Sequence, residues 1–576
     1  MDSPTSVQAV SFMALAPLAF VLLCYLLRWP TVRHPPSPMS FPLVGNLLSI
    51  PPGHEYIAFA KLGEELKSDM VFLKIFSQKI IVLNSTDVAT EILDKRSAFH
   101  SDRPFIPMVA DASLMNWSRV PSLIEYSDTW RQYRRIMGNW LNKRAVTQFN
   151  DMQEQQTRLL LRRLMGVTKH TRPFEHVKNE FFFATGSLML QLAYGYRPWG
   201  PQDPFLKEVQ LAIHNILSAT MQTRFLVNLF PSLLYMPDWF PWTRWKRTGK
   251  EWGVQQEKAK AMPYEWLKQQ VANGSHQPSL LAPLVKDHEM LSNLTSSEKD
   301  ELLKEVGIVL FAGGTDTISN FLISFVAAMI LNPDVQEKAQ RELDAVLGHT
   351  TLPEMSHKER LPYTRNLIEE VFRLYPVVPL GIPHACYRDD SYQGYYIEKG
   401  TTMWVTSHYP YATASTNLPF PSLPTNASIT FFEQYGEYLV GFCEQLCSVS
   451  NHDIFNCGAI ITRAMGRDPR HYLDPETFDP DRYLDPQTPR APRFGWGRRK
   501  CPGAHFAEAS IFMIVASLLT TFTFSRKRTE DGQEIVPQME AERDSMMLEL
   551  KPFDFEIRVR SEGHRELILG ASADSG

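Results

Sequence analysis

Cysteine is scarce in this chain, with six residues in 576, widely scattered. So sparse a set excludes the disulfide framework of a small secreted scaffold and suits a reducing compartment. Positive charge is not in excess either: 59 Lys and Arg stand against 63 Asp and Glu, a formal net charge of -4. The overall field therefore gives no draw onto nucleic acid. There is no internal repeat, which excludes solenoids and propellers. No long stretch has a disordered composition, and with 44% hydrophobic and 21% charged residues the bulk of the chain folds around a sizeable core.

What is present begins with an apolar run. Residues 9–27 carry no charge, and as a helix rising ~1.5 Å per residue they cross most of a bilayer core. A cleaved signal peptide is the alternative, but Asp2 precedes the run, no Lys or Arg does, and the run is too long. Arg28 and Arg33 follow it. The positive-inside bias then keeps the rest of the chain on the cytoplasmic side, a single-pass signal-anchor arrangement. Residues 1–29 are the expected membrane anchor. Residues 30–50, with Pro35-Pro36-Ser37-Pro38 and Pro42, form a stiff hinge, because proline fixes φ and disfavours helix before it.

In the body, Val71-Phe72-Leu73-Lys74-Ile75 and Ile80-Ile81-Val82-Leu83, separated by polar residues, predict a hairpin. Thr295-Ser296-Ser297-Glu298 has the form of a capping box and opens a helix running unbroken to Leu331. Such a helix is on the order of 50 Å long. Asn332-Pro333 ends it and a second helix runs from Pro333 to about Leu347. Many helices with a few short strand pairs indicate a mainly α protein with small β-sheets.

The densest local signal is Phe494-Gly495-Trp496-Gly497-Arg498-Arg499-Lys500-Cys501-Pro502-Gly503. Its glycines allow a tight loop whose backbone can approach a flat ligand, and Arg499 brings a fixed positive charge two residues before the thiol. Positive charge favours the thiolate, the form that ligates iron and whose electron donation favours O–O cleavage. A structural cysteine in a glycine-rich turn would give a similar string. Elsewhere, Trp130 and Arg134 lie one helical turn apart among Arg131 and Arg135, which alone could be a solvated face. Gly313-Gly314-Thr315-Asp316-Thr317 puts two glycines mid-helix, at roughly 1 kcal/mol each relative to alanine. Close helix packing would explain them, as would a local opening of the backbone ladder. Glu370 and Arg373 share a helix face, which alone reads as a surface salt bridge.

Phe494, Gly497, Arg499, Cys501 and Gly503 fill all five fixed positions of the Phe-x-x-Gly-x-Arg-x-Cys-x-Gly pattern. With average residue usage, such a match arises by chance on the order of once in ten thousand chains of this length. On this loop, on those three other elements and on a fourth, Tyr375-Pro376-Val377-Val378-Pro379-Leu380-Gly381-Ile382-Pro383-His384, all standing in the family's order, the chain resembles the cytochrome P-450 family, and most of all its fungal microsomal members. The resemblance spans the anchor to about Arg558. It implies the cytochrome P-450 fold with an N-terminal transmembrane helix, and haem b with Cys501 as the axial ligand to iron. Phe494, Arg499 and Gly503 are then the fixed residues of the haem-binding loop. It further implies that Trp130 and Arg134 bond the haem propionates, and that Asp316 and Thr317 relay protons for oxygen activation. Glu370 and Arg373, joined by Arg482 of Pro480-Asp481-Arg482-Tyr483, become a buried group that holds the fold. His384 falls where a basic residue often meets a propionate, although a loop histidine without that role fits the sequence nearly as well.

One stretch departs from the family. Residues 406–463 are interposed after the strand Thr401-Thr402-Met403-Trp404-Val405, and they hold no lysine, one terminal arginine and half of the cysteines. A retained intron is the preferred explanation. Cys443, Cys447, His452 and Cys457 nearly reproduce a zinc-knuckle spacing, but the first gap is three residues and no basic residue lies among them. The catalytic domain is thus expected in residues 51–405 and 464–576.

The function expected from the resemblance is a monooxygenase that hydroxylates or otherwise oxidises a lipophilic small molecule with O2. No flavin or nicotinamide module is appended, so electrons from NADPH would arrive through a separate reductase. The expected location is the endoplasmic reticulum membrane, with the catalytic domain cytoplasmic. Two rivals stay open: a non-oxidative haem-thiolate enzyme, and an inactive product spoiled by the interposed segment.

Overall fold

A computed structural model of the chain describes residues 32–51, 54–221, 224–241, 243–286, 289–406, 465–542 and 545–573. The expected anchor at residues 1–29 and nearly all of the interposed segment, with its Cys443, Cys447, His452 and Cys457, lie outside the described residues.

The principal helices are α1 (Glu55–Glu65), α2 (Asp128–Leu141), α3 (Asn150–Val167), α4 (Phe174–Tyr194), α5 (Pro204–Thr220), α6 (Arg244–Ala272), α7 (Ser296–Leu331), α8 (Pro333–Leu347), α9 (Pro362–Leu374), α10 (Ala504–Thr521) and α11 (Glu562–Ala573). The strands are β1 (Met70–Ile75), β2 (Gln78–Leu83), β3 (His384–Ala385), β4 (Asp390–Tyr392), β5 (Tyr395–Ile397), β6 (Thr402–Val405), β7 (Phe522–Ser525), β8 (Lys527–Arg528), β9 (Glu534–Ile535) and β10 (Glu556–Val559). The largest sheet has the order β1-β2-β6-β3. Its β1/β2 hairpin, predicted from sequence, is antiparallel and β6 pairs parallel to β2, so β6 and β3 extend the sheet from the β2 edge of the hairpin.

Local chemistry sets the element ends. Both halves of the α7 capping box form: Thr295 Oγ1 accepts from Glu298 N–H at 3.3 Å, and Glu298 Oε2 accepts from Thr295 N–H at 2.9 Å. Pro333 sits in the first turn of α8, where its missing N–H costs nothing. Ser127 caps α2, whose buried residues Trp130, Tyr133, Ile136, Met137 and Leu141 recur at helical spacing.

Two apolar cores meet along α7. Its first half, through Phe311, packs with α2, α5, α6 and the end of α4; its second half, from Ile318, packs with α3, α8, α9, α10 and the hairpin. Full burial of side chains such as Phe321 and Phe325 is worth about 1.5–3 kcal/mol each. Between the halves lies the one stretch of mid-helix that opens: Gly313 is exposed and Ala312, Gly314, Asp316 and Thr317 are half-buried. Both α7 and α10 are long and apolar enough to cross a membrane, but most of each is buried inside the protein, as core helices are.

Candidate active site

The loop that precedes α10 is closed by Cys501 N–H donating to the Phe494 carbonyl at 2.9 Å. Gly497 adopts φ +55°, and a Cβ there would run into the Leu93 carbonyl, so glycine is required at this close approach. The Cys501 thiol lies deep in the molecule and is nevertheless open on one side, the setting of a ligand that faces an interior space. Burial raises its pKa; the Gly503 backbone N–H and the Arg134 guanidinium pull the other way. The charge that favours the thiolate is therefore Arg134, donated from α2, and not Arg499 as the loop sequence suggests. Arg499 turns away, donating to the carbonyls of Ser101 (2.7 Å), Pro121 (3.4 Å) and Ile124 (2.7 Å).

Arg499 belongs to a cluster of cations. Its guanidinium lies 4.7 Å from the ring centre of Trp130, and that of Arg134 lies 5.9 Å from the same ring. Arg134 also donates to the Lys500 carbonyl at 2.7 Å, which ties α2 to the cysteine loop. Arg103 donates to the carbonyls of Ser122 (2.9 Å), Ile382 (2.9 Å) and Pro383 (2.6 Å). All three guanidiniums are deep yet partly open, and the hydrogen-bond acceptors they hold are backbone carbonyls. Burial, then repulsion by Arg499, holds Arg103 well below the ordinary guanidinium value, although Asp102 opposes the shift. Burial pushes Arg499 down to about 10, with Asp102 opposing and Arg134 adding to the shift. As a member of this cation cluster Arg103 gives no signal in the sequence, because its carbonyl partners leave no mark in composition.

His384 lies in β3, and its Nδ1 is 2.8 Å from the His100 carbonyl. A carbonyl only accepts, so Nδ1 carries the proton and Nε2 of the neutral ring is left as an acceptor. Burial first, then Arg103, drives its pKa well down and keeps the ring neutral. This geometry anchors the ring to residues 100–103 through Nδ1 and leaves Nε2 as its remaining hydrogen-bonding atom.

On α7, the Thr317 hydroxyl donates to the Gly313 carbonyl at 2.6 Å. The two adjacent glycines have different reasons. A Cβ at Gly314 would fall inside the Met189 thioether of α4, so this is the packing glycine, whereas a Cβ at Gly313 would meet nothing within 4 Å. The expected opening of the backbone ladder is not present, since α7 is helical throughout; the glycine gives an open face instead of a break. Apolar segments converge on this side, with Leu548 N–H bonded to the Val377 carbonyl at 2.9 Å and Asn320 Nδ2 reaching the Met547 sulfur at 3.2 Å.

Glu370 and Arg373 are fully buried and bidentate, at 2.8 and 2.7 Å. Arg482 Nε reaches the same Glu370 oxygen at 3.0 Å, and Arg373 also holds the carbonyls of Gly466, Pro475 and Thr477. The group fastens the segment after residue 464 to α9. Sequence gave no sign of a second buried pair, Lys260 on α6 and Glu305 on α7 at 2.6 Å.

A mainly helical fold with a deep, open thiol at the head of one core helix, and crowded guanidiniums beside it, defines a class of protein that holds an anionic, metal-centred ligand through one cysteine. The cytochrome P450 family model matches residues 35–411 and 459–556. Among similar curated proteins, cytochrome P450 monooxygenase 98 of Postia placenta is 32% identical, over 88% of this chain and 86% of its own length. A cytochrome P450 monooxygenase of Armillaria gallica is 30% identical over 93% of each chain, and cytochrome P450 monooxygenase 105 of Postia placenta is 31% identical over 99% and 98%. The chain belongs to the cytochrome P450 family and is an enzyme of its monooxygenase class. Membership implies haem and the use of O2. The residues present fit haem, because its two propionates answer guanidiniums that have only carbonyls to bond, and its iron answers an open thiol.

Proposed function

We propose that the protein oxidises a lipophilic small molecule with O2; Cys501 would supply the thiolate that holds haem iron, and Arg103, Trp130, Arg134 and Arg499 would receive the propionates. Phe494 and Gly503 shape the loop around the sulfur. The observation that carries this reading is the Cys501 thiol, deep in the protein, open on one side and felt by Arg134. Bound haem supplies the oxygen-activating chemistry. The chain supplies orientation, dryness and protons. The apolar segments that meet where Leu548 N–H bonds the Val377 carbonyl, beside the open face of α7, favour an apolar substrate. Thr317 Oγ1, beside the open face of Gly313, delivers a proton there, and Asp316 replaces it.

Electrons come from a separate NADPH-dependent reductase. Exposed Arg131 and Arg135 on α2, with Arg498 and Lys500 on the cysteine loop, make a basic face next to the thiolate that favours an acidic docking partner. Residues 1–29 anchor the enzyme in the endoplasmic reticulum membrane with the catalytic domain cytoplasmic. Residues 406–463 are an interposed segment, a reading supported by the family match, which stops at 411 and resumes at 459, and by the flanking Val405 and Met465, which belong to one apolar cluster.

The test is the absorption spectrum of the reduced, carbon-monoxide-bound protein. It is expected to show thiolate ligation, and Cys501→Ala to abolish it. A thiolate-type spectrum retained in Cys501→Ala overturns the assignment.

A further inference from the structure

A second constellation lies on elements that carry none of the haem-facing side chains. At the end of α8, Gly348 takes φ +68° and turns the chain so that His349 stands over Asp344, with Nδ1 3.8 Å from Oδ1. Across from them, His564 sits in the first turn of α11, its ring centre 6.0 Å from that of His349 and the two planes nearly perpendicular. One nitrogen from each histidine and one Asp344 oxygen lie within 4.8 Å of one another, the only such group of three among the described residues.

The state of His564 points to a ligand. The residue is 5% exposed, its Nδ1 is 2.8 Å from Ser561 Oγ, and its buried Nε2 has no hydrogen-bond partner. Ser561 thus orients the ring through Nδ1 while the other nitrogen, Nε2, is buried and unpartnered, as a neighbouring group orients a metal-binding imidazole. Burial alone would raise the Asp344 carboxyl, but its bonds to Arg560 Nη1 (2.8 Å) and Nη2 (2.6 Å) hold it below the usual range, so it is ionised.

We propose that Asp344, His349 and His564 form a site for a divalent cation of the zinc class, which fastens the C-terminal helix α11 to the end of α8. Two imidazoles and a carboxylate, with a water to complete a tetrahedron, suit zinc. Zinc–ligand bonds of ~2.0–2.1 Å require the donors to close to ~3.4 Å, and the His349 side chain, 70% exposed, has the room to move inward. Arg560 shares the carboxylate and repels a dication, so the site fills and empties with available metal and is not permanently loaded. Zinc has no redox chemistry, so the role is mechanical.

The experiment uses the full-length, haem-loaded protein without a polyhistidine tag, stripped with chelator and titrated with zinc chloride against a chromophoric competitor. One equivalent is expected to bind more tightly than the remainder and to raise the midpoint of thermal unfolding. His349→Ala, at an exposed position outside the haem site, is expected to weaken that equivalent on the order of tenfold or more and to cancel the thermal shift, with haem content unchanged. Asp344→Asn should do the same. Zinc binding and thermal shift that are the same in His349→Ala as in the natural protein, or no distinct first equivalent in the natural protein, overturns the proposal.

Discussion

Neighbouring glycines on α7 do different jobs, and this separates stability from catalysis. Gly313→Ala adds a methyl that touches nothing and removes a helix-interior glycine, a gain of about 0.5–1 kcal/mol. Its unfolding midpoint should rise while substrate oxidation changes, because the methyl stands on the open face beside Thr317. At Gly314 the same propensity gain is offset by displacement of Met189, and no rise is expected. Thermal unfolding of the two variants, read beside turnover, tests the contrast. His384 gives a prediction of a different kind. Its folded pKa lies well below an unfolded value of ~6.5, so its contribution is fully present above that pH and is lost as pH falls toward the folded pKa. Between about pH 6 and 5 the unfolding free energy of the natural protein should fall more steeply than that of His384→Gln, by up to ~1.4 kcal/mol per pH unit. Parallel denaturant titrations at the two pH values measure the difference.

Among elements, the contact between α9 and the segment after residue 464 depends on Glu370. Its removal leaves Arg373 and Arg482 buried without their carboxylate, and breaking such a pair costs about 3–5 kcal/mol. Glu370→Gln should lose haem and unfold at lower denaturant, whereas Arg482→Lys, which keeps the charge, should lose less; haem-to-protein ratio and denaturation midpoints report both. The start of α7, the Pro333 boundary and the β1/β2 hairpin were legible in the sequence because each is written in adjacent residues. The thiolate loop and the Glu370 group were legible through family resemblance. Arg103, the switch of roles between Arg134 and Arg499, and the Lys260–Glu305 pair were not. Their partners are carbonyls or residues brought near only by the fold, and nothing in local spacing encodes them. The glycine pair was half legible: its cost could be read, but the division of labour between packing and open face needed Met189 in place.

At the scale of the whole molecule, two cores share one helix, and the segment at 406–463 joins β6 to a residue in the same apolar cluster. A loop of that length adds a closure entropy of a few kcal/mol against a net stability of ~5–15 kcal/mol. Deleting residues 406–463 and leaving a two-residue bridge should raise haem occupancy and soluble yield. Equal haem content in both proteins, with transcripts that all encode the segment, would make it a genuine part of the enzyme. The crowded guanidiniums carry a last consequence. Arg499 is set against both Arg103 and Arg134, with Asp102 opposing, and mobile ions at ~0.1 M screen over a distance of about 10 Å, reaching partly open charges of this kind. Newly made chain that has not yet met its prosthetic group therefore depends on ionic strength for part of its cohesion, and that dependence fades once the propionates take over the neutralisation.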